Sequence, residues 1–370
     1  MKDETCILPF SAVFLDVTRF AKKIPTSKYL TAGTYPIFDQ GKDFISGYYN
    51  DNENLFTDVP IIIFGDHTRI KKYVDTPCFI GADGVKVLKP KVSANVKYLF
   101  YALQSIEIPN TGYNRHYKIL KNVKIILPNI DIQNEIAEKL DLIVQLIKNK
   151  KKQIEKFDQL AKSRFIEMFG RCSEDKFGWG LKTLEDCCVI NPQKTTDSRL
   201  KPGLEVSFCP MPYISEKGEI KTDDIIIYDK VKSGFTYFAE NDVLFAKITP
   251  CMENGKGAIA RNLKNGIGFG STEFHVLRPK KEMITPEWLY FLTTFQQFRK
   301  DAENNMTGSA GQRRVPANFL KKYRVSVPPK SLQYEFARIL QQLDKSKFRI
   351  KKSLEKLELT YKALLQEYFG

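Results

Sequence analysis

No run of about eighteen apolar residues occurs in this 370-residue chain, so no segment of it reads as a helix that crosses a bilayer. Its first residues hold no cationic stretch followed by an apolar one, and no secretory leader is expected. The 7 cysteines include the adjacent Cys187 and Cys188 but no Cys-x-x-Cys pair, and the 3 histidines, His67, His116 and His275, are scattered. That usage predicts reduced thiols, a cytoplasmic location and no zinc or other metal site. No Gly-x-x-x-x-Gly-Lys-(Ser/Thr) loop exists to cradle a nucleotide triphosphate. An amino-methyltransferase needs an (Asn/Asp/Ser)-Pro-Pro-aromatic loop to hold a flipped base. Asn191-Pro192-Gln193-Lys194 lacks the second proline and the aromatic, and reads as a turn. The glycine-rich run Gly266-Ile267-Gly268-Phe269-Gly270 leads into a strand pattern and not a helix, which predicts close packing or a hairpin and no phosphate site. Acidic pairs fall into no recognisable hydrolase or nuclease pattern. The expectation is a non-catalytic chain with no cofactor of its own.

What the chain does have is a gapless internal repeat. Residues 117–170 recur as 317–370: Leu120, Lys121, Pro128, Gln133, Glu135, Ala137, Leu140, Lys151, Lys152, Glu155, Lys156, Lys162, Glu167, Phe169 and Gly170 each reappear 200 positions later. Each copy follows a mixed segment of unlike sequence, so two different bodies are carried on one repeated frame. The boundaries follow: 1–126 and 171–326 as bodies, 127–170 and 327–370 as long helices, with Pro128, Pro328 and Pro329 marking the helix starts.

Both copies carry heptads. The first seam is Ile136, Leu140, Ile143, Ile147, Lys150, Ile154, Phe157, Ala161, Arg164 and Met168; the second is Phe336, Leu340, Leu343, Lys347, Ile350, Leu354, Leu357, Tyr361, Leu364 and Tyr368. Spacing by fours and threes predicts coiled-coil helices of roughly 35 residues, about 50 Å long. Neither can bury its stripe alone, and the intervening body is long enough to return the second helix antiparallel to the first. Lys150, Arg164 and Lys347 interrupt the seam as register-fixing or snorkelling residues. Between the helices, alternating runs at 60–64, 85–88, 123–127, 242–247, 274–277 and 323–327 predict strands, and 98–103 and 288–293 predict matching helices. The fold class is α+β: two similar mixed bodies joined by two long antiparallel helices, pseudo-twofold about a point near Gln153 and Ser353.

With 42% hydrophobic and 27% charged residues the chain can build two cores, and its formal net charge is +15. Such a surplus attracts polyanions, nucleic acid first. Candidate contacts lie in basic, glycine-punctuated loops. In the first body they are Lys22, Lys23, Ser27, Lys28 and Tyr29; His67, Thr68, Arg69, Lys71 and Lys72; and Tyr113, Asn114, Arg115 and His116. In the second they are Lys194, Arg199 and Lys201; Lys247, Asn254 and Lys256; Ser271, Thr272 and Glu273; and Gln312, Arg313 and Arg314. Arg, Lys, Asn and Gln can fork onto base edges, while Ser, Thr and most lysines serve phosphates. For any single residue a solvated surface position competes with this reading. The run at 148–152 reads as a solvated helix face.

These features resemble one family over nearly the whole chain: the specificity subunit of type I restriction-modification enzymes. The strongest likeness is Asp242-Val243-Leu244-Phe245-Ala246-Lys247-Ile248-Thr249-Pro250-Cys251-Met252-Glu253-Asn254-Gly255-Lys256-Gly257 with Gly268-Phe269-Gly270-Ser271-Thr272-Glu273-Phe274, joined by Val206-Ser207-Phe208-Cys209-Pro210-Met211. In the first half, Gly33-Thr34-Tyr35-Pro36-Ile37-Phe38 and Ile61-Ile62-Ile63-Phe64-Gly65 are similar to another subtype. The helix starts, Leu127-Pro128 to Gln133-Asn134-Glu135 and Pro328-Pro329 to Gln333-Tyr334-Glu335, match its proline-to-glutamine-glutamate signature. The chain departs from the pattern at its start, and Trp179 has no counterpart in the first half. The resemblance implies two target-recognition domains that read a bipartite, asymmetric site in double-stranded DNA. It further implies two methyltransferase subunits using S-adenosylmethionine to modify adenine, and two motor-nuclease subunits using ATP and magnesium. Half-site centres would lie roughly one turn, about 10 base pairs, apart. The rival readings are a coiled-coil scaffold that binds only protein, and the reader portion of a fused restriction-methylation enzyme.

Overall fold

A computed structural model of the chain describes residues 5–81, 83–110, 112, 114–171, 174–309 and 311–370. The chain divides into two compact units, Met1–Gln153 with Ile350–Gly370, and Ile154–Arg349.

The first unit runs β1 (Cys6–Pro9), α1 (Phe10–Val13), β2 (Phe14–Asp16), β3 (Lys23–Ile24), β4 (Tyr35–Phe38), β5 (Gly47–Tyr49), β6 (Ile61–Gly65), β7 (Lys71–Val74), β8 (Phe79–Gly81), β9 (Val85–Pro90), α2 (Val96–Ser105), α3 (Tyr117–Leu120) and β10 (Lys124–Leu127), then enters the long helix α4 (Ile130–Phe169). An antiparallel sheet has the order β2-β9-β6-β7, and a mixed sheet has β3-β8-β4-β5, with β8 parallel to both β3 and β4. The central strand β6 is buried along its whole length. Its period-2 alternation explains the unbroken apolar run. Ile62 and Phe64 enter the core shared with Leu99, Leu103 and Leu140, while Ile61 and Ile63 enter the core shared with Phe38 and Ile80.

The second unit repeats this plan with β11 (Leu181–Thr183), α5 (Leu184–Cys187), β12 (Cys188–Ile190), β13 (Glu205–Cys209), β14 (Ile225–Ile227), β15 (Thr236–Ala239), β16 (Val243–Ala246), β17 (Gly257–Ile259), β18 (Ile267–Gly270), β19 (Phe274–Pro279), α6 (Pro286–Thr294), α7 (Gln296–Asn304), α8 (Ala317–Lys322), β20 (Arg324–Ser326) and the long helix α9 (Lys330–Phe369). Its sheets are β12-β19-β16-β17 and β14-β13-β18-β15. Val243 and Phe245 face the core with Trp288 and Phe336, and Leu244 and Ala246 face the core with Phe238 and Phe274. The first sheets correspond strand for strand. In the second sheets β5-β4-β8 matches β14-β13-β18, but the last edge differs: β3 runs parallel to β8, whereas β15 runs antiparallel to β18. The glycine-rich run forms β18 itself. Gly268 lies against the Phe238 ring and Gly270 against the Cys209 carbonyl, closer than a side chain would allow, which is the close packing expected of it.

Both long helices have 40 residues, about 60 Å at 1.5 Å per residue. They exceed the expected length because α9 begins directly after Pro329 and α4 two residues after Pro128, and each continues to the residue before the final glycine of the repeat. Gly170, at φ +66°, closes α4 in the left-handed conformation. Within the first unit the start of α4 packs its Ile136, Ala137 and Leu140 with Tyr361, Leu364, Leu365, Tyr368 and Phe369 of α9, and Lys151 pairs with Glu358 at 2.8 Å. Within the second, Phe165 and Phe169 meet Phe336 at centroid distances of 5.3 and 5.5 Å, and Lys347 pairs with Asp158 at 2.6 Å. The pairing in each unit is antiparallel. Seam residues Ile143, Ile147, Ile154, Phe157, Leu340, Leu343, Ile350, Leu354 and Leu357 are half-buried, as two helices alone allow. Arg164 is a correction to the seam. It is exposed and pairs with Glu167, while its neighbour Phe165 is fully buried, because this end of α4 packs on its own body. Lys148, Lys151 and Lys152 are exposed, as a solvated face requires.

A repeated joint fastens each body to its helix. Gln133 accepts a hydrogen bond from the Asn95 amide at 2.9 Å and donates to the Pro128 carbonyl at 2.7 Å. Gln333 accepts from the Thr285 amide at 2.8 Å and donates to the Pro328 and Met283 carbonyls at 2.8 and 3.0 Å. Both glutamines are buried, and both reach the backbone of the residue that caps α2 or α6. Gln133→Leu or Gln333→Leu is expected to destabilise its own unit by about 1–3 kcal/mol for each polar group left buried and unpaired. Chemical denaturation of the full chain measures this; a loss below about 0.5 kcal/mol, the range of surface substitutions, would show that the joint contributes nothing.

Candidate nucleic-acid interface

Three loops meet at the same edge of each body, held by the same two backbone bonds. In the first unit the Asp66 amide, just past β6, donates to the Gly84 carbonyl at 2.6 Å, and the His116 amide donates to the Asp66 carbonyl at 2.8 Å. In the second the Lys247 amide, just past β16, donates to the Glu273 carbonyl at 2.9 Å, and the Val315 amide donates to the Lys247 carbonyl at 2.9 Å. The β6–β7 turn, the β8–β9 turn and the segment before α3 thus correspond to the β16–β17 loop, the β18–β19 turn and the segment before α8. Backbone bonds fix the edge while leaving side chains free to differ.

In the second unit this edge gathers most of the candidates. The Arg314 guanidinium forks onto Glu273, with Nη2–Oε1 at 2.8 Å and Nε–Oε2 at 3.0 Å, and holds that carboxyl below its usual range. Arg313 stands 3.8 Å from both Glu253 and Glu303, its carbonyl accepting from the Thr249 amide at 3.0 Å. Gln312, Asn254 and Thr272 are exposed; Lys247, Lys256 and Ser271 are half-buried, with Lys256 reaching the Met211 carbonyl at 3.4 Å. His275 is buried, its Nε2 at 2.7 Å from the Val315 carbonyl, and burial lowers its pKa. Lys194, Arg199 and Lys201 instead belong to the other sheet. Arg199 forks onto Asp197 at 2.7 and 2.8 Å, Asp197 also accepts from the Tyr237 hydroxyl at 2.7 Å, Lys194 bonds the Lys232 carbonyl, and Lys201 is exposed. The Arg199 fork holds the Asp197 carboxyl well below its usual range. Asn191, at φ +53°, forms the turn expected of the Asn-Pro-Gln-Lys run.

In the first unit the basic run past β6 splits by burial. His67 and Thr68 lie beside Gln40, whose side chain accepts from the His67 amide at 3.2 Å and whose carbonyl accepts from the Thr68 hydroxyl at 2.7 Å. Arg69, at φ +64°, donates to the Ile108 carbonyl at 3.1 Å. The Lys71 ammonium bonds the Leu103 and Ile106 carbonyls at the end of α2, and burial lowers its pKa to about 8. Lys72 is buried, donating to the Asp43 carbonyl at 2.5 Å with Asp39 at 3.9 Å, and burial lowers its pKa too. His116 is fully buried, its Nδ1 at 2.9 Å from the Asp66 carbonyl, while Asn114 and Arg115 are exposed beside it. Tyr113 lies outside the described residues. Lys23, Ser27 and Lys28 are exposed near β3, Lys22 pairs with Glu53 at 3.6 Å, and Tyr29 packs on Gly47 and Gly81. Lys71, Lys72, His116 and Tyr29 therefore hold the fold. Sequence reasoning missed Gln40, whose run Phe38-Asp39-Gln40-Gly41 reads only as a turn, and Arg299, which sits in an otherwise ordinary amphipathic helix.

The model of the type I restriction modification DNA specificity domain matches residues 15–156 and 177–360. Over 153 residues the chain is 43% identical to the type I restriction enzyme EcoAI specificity subunit of Escherichia coli, and over 158 residues 40% identical to the EcoEI specificity subunit of the same organism. These matches span 41% and 42% of this chain but 26% of each relative. In fold, the chain is similar along its full length to the crystal structure of a type I restriction-modification S subunit from M. genitalium, with TM-score 0.57 at 16% identity and 97% of that chain covered. A second structure, from work on complex assembly and conformational transition of the type I R-M system, gives TM-score 0.54 at 15% identity, covering 100% of this chain and 98% of the other. With the family model matching both bodies, the chain belongs to the type I restriction modification DNA specificity domain family.

Proposed function

We propose that this chain is a specificity subunit that reads double-stranded DNA and performs no chemistry itself. The observation that carries the reading is the loop edge built twice by the same backbone bonds and furnished with unlike side chains. Two such edges suit two unlike half-sites, a bipartite and asymmetric target. Exposed Lys23, Lys28, Arg115 and Lys201 suit phosphates, and Gln312, Asn254 and Arg313 suit base edges. The net charge of +15 supplies attraction to the duplex. In this reading two methyltransferase subunits bring S-adenosylmethionine and modify an adenine in each half-site. Two motor-nuclease subunits bring ATP and magnesium and cut unmodified DNA, and the assembly works in the cytoplasm. The test is methyl transfer to duplex DNA. The purified chain alone is expected to transfer none, and to direct transfer once the methyltransferase subunits and S-adenosylmethionine are added. Turnover by the chain alone, or partner activity unchanged by its presence, would sink the reading.

A further inference from the structure

Each body holds a cation at an equivalent junction, supplied from opposite sides: buried Arg299 in the second unit and half-buried Lys71 in the first. In the second unit Arg299, on α7 and 7% exposed, donates Nε to the Thr293 carbonyl at the end of α6 at 2.6 Å and Nη1 to the Met252 carbonyl at 2.8 Å. Its Nη2 reaches the Gly255 carbonyl at 3.3 Å, and the guanidinium lies 4.5 Å from the Phe245 ring centroid. These acceptors are all backbone carbonyls. In the first unit Lys71, at the start of β7, reaches back to the Leu103 and Ile106 carbonyls at the end of α2. Sequence alignment could not pair the two residues, since one rises from the helix side and the other from the hairpin side. Yet each ties the helix after β9 or β19 to the hairpin that carries the recognition loop.

The loop at 249–256 is bonded within itself, the Gly255 amide on the Met252 carbonyl and the Asn254 amide on the Pro250 carbonyl, both at 3.0 Å, and Arg299 adds the bonds that tie its Met252 and Gly255 carbonyls to the end of α6. A planar guanidinium with several fixed donors sets the positions of those carbonyls relative to one another, which apolar packing cannot do. Burial pulls Arg299 down to about 10 and Lys71 to about 8, the mark of cations held without a carboxylate at the centre of the contact.

We infer that Arg299 and Lys71 are positioning residues for base readout: without touching DNA, each fixes the conformation of the loop after β16 or β6, and so the base preference of its own half-site. The inference rests on the DNA-reading function proposed above. Its test uses the full chain assembled with methyltransferase subunits, selecting from a library of random-sequence duplexes, with thermal melting in parallel. Wild type is expected to select two half-sites. Arg299→Met should lose at least tenfold in base preference at one half-site and keep the other, Lys71→Met should do the reverse, and Arg299→Lys and Lys71→Arg should restore part of the preference. The salt dependence of binding should stay at the wild-type slope in all four. Wild-type preference at both half-sites in Arg299→Met, with only weaker binding or a lower melting temperature, would overturn the inference and leave a purely structural role. Should that variant fail to fold, Arg299→Lys decides, since it keeps the charge and loses the fork; unchanged preference there overturns the inference as well. A wild-type assembly that enriches no sequence would contradict the DNA-reading function itself, a distinct result.

Discussion

Replacing residues 171–326 with the matching body of another family member is expected to rewrite one half of the methylated site completely and leave the other half as it was. The structure gives the reason at the joint. Gln333 holds its body through the backbone amide of Thr285 and the backbone carbonyl of Met283, so a foreign body needs only the same backbone path to seat on the helix. The core beneath the joint makes a broader demand. Phe165, Phe169 and Phe336 pack against Phe291, Phe295 and Leu292, so the incoming helix must offer apolar residues of similar volume. Where it does, the first unit, with its own core and its own loop edge, has no cause to change its preference. Methylation mapping of the swapped chain reads both half-sites at once. Two altered half-sites, or none, would separate reading from the bodies.

Charge reversal should divide the basic residues of the first unit into two classes. Lys23 and Lys28 are exposed. A Lys23→Glu/Lys28→Glu chain should fold with stability within about 0.5 kcal/mol of wild type, since neither residue is buried. Its binding to duplex DNA should weaken, and the plot of log affinity against log salt should lose roughly two units of slope, one for each phosphate contact removed. Lys71 and Lys72 lie in the same kind of basic run but are committed to carbonyls inside the fold. Reversing either should lower the unfolding midpoint of the first unit, because a carboxylate would then face the carbonyls of residues 103, 106 or 43 with no donor to offer. Titration of binding between 50 and 200 mM salt, beside chemical denaturation, separates the classes. A reversed Lys23/Lys28 chain with the wild-type slope would remove the segment around β3 from the interface.

The frame was legible in the sequence because its signals are local and periodic. The repeat of Leu120, Pro128, Gln133 and Phe169 at one fixed offset, with heptads at Leu140, Ile154, Leu340 and Leu354, specifies two long helices directly. The strands at β6 and β16 were equally plain, since both faces are covered and the apolar run is unbroken. What the sequence concealed is which polar side chains the fold consumes. Lys71 and Arg69 look alike as letters and both face carbonyls, while Arg115 beside the buried His116 is exposed. Only the path of α2 past β7 distinguishes them, and that path is a tertiary fact. Arg164 failed as a seam residue for a related reason. Heptad counting assumes a partner helix along the whole length, and at the end of α4 the partner is the body of the second unit, which shifts the buried stripe by one residue to Phe165 and Phe169.

In the function proposed above, this chain chooses the site at which its partners act. Genome-wide mapping of methylated adenine, in the same cells with and without the chain and with the methyltransferase subunits present throughout, tests it most directly. One bipartite motif, made of two unlike short sequences around unread bases, should be methylated when the chain is present and disappear when it is removed. A methylation pattern that persists unchanged without the chain would contradict the account.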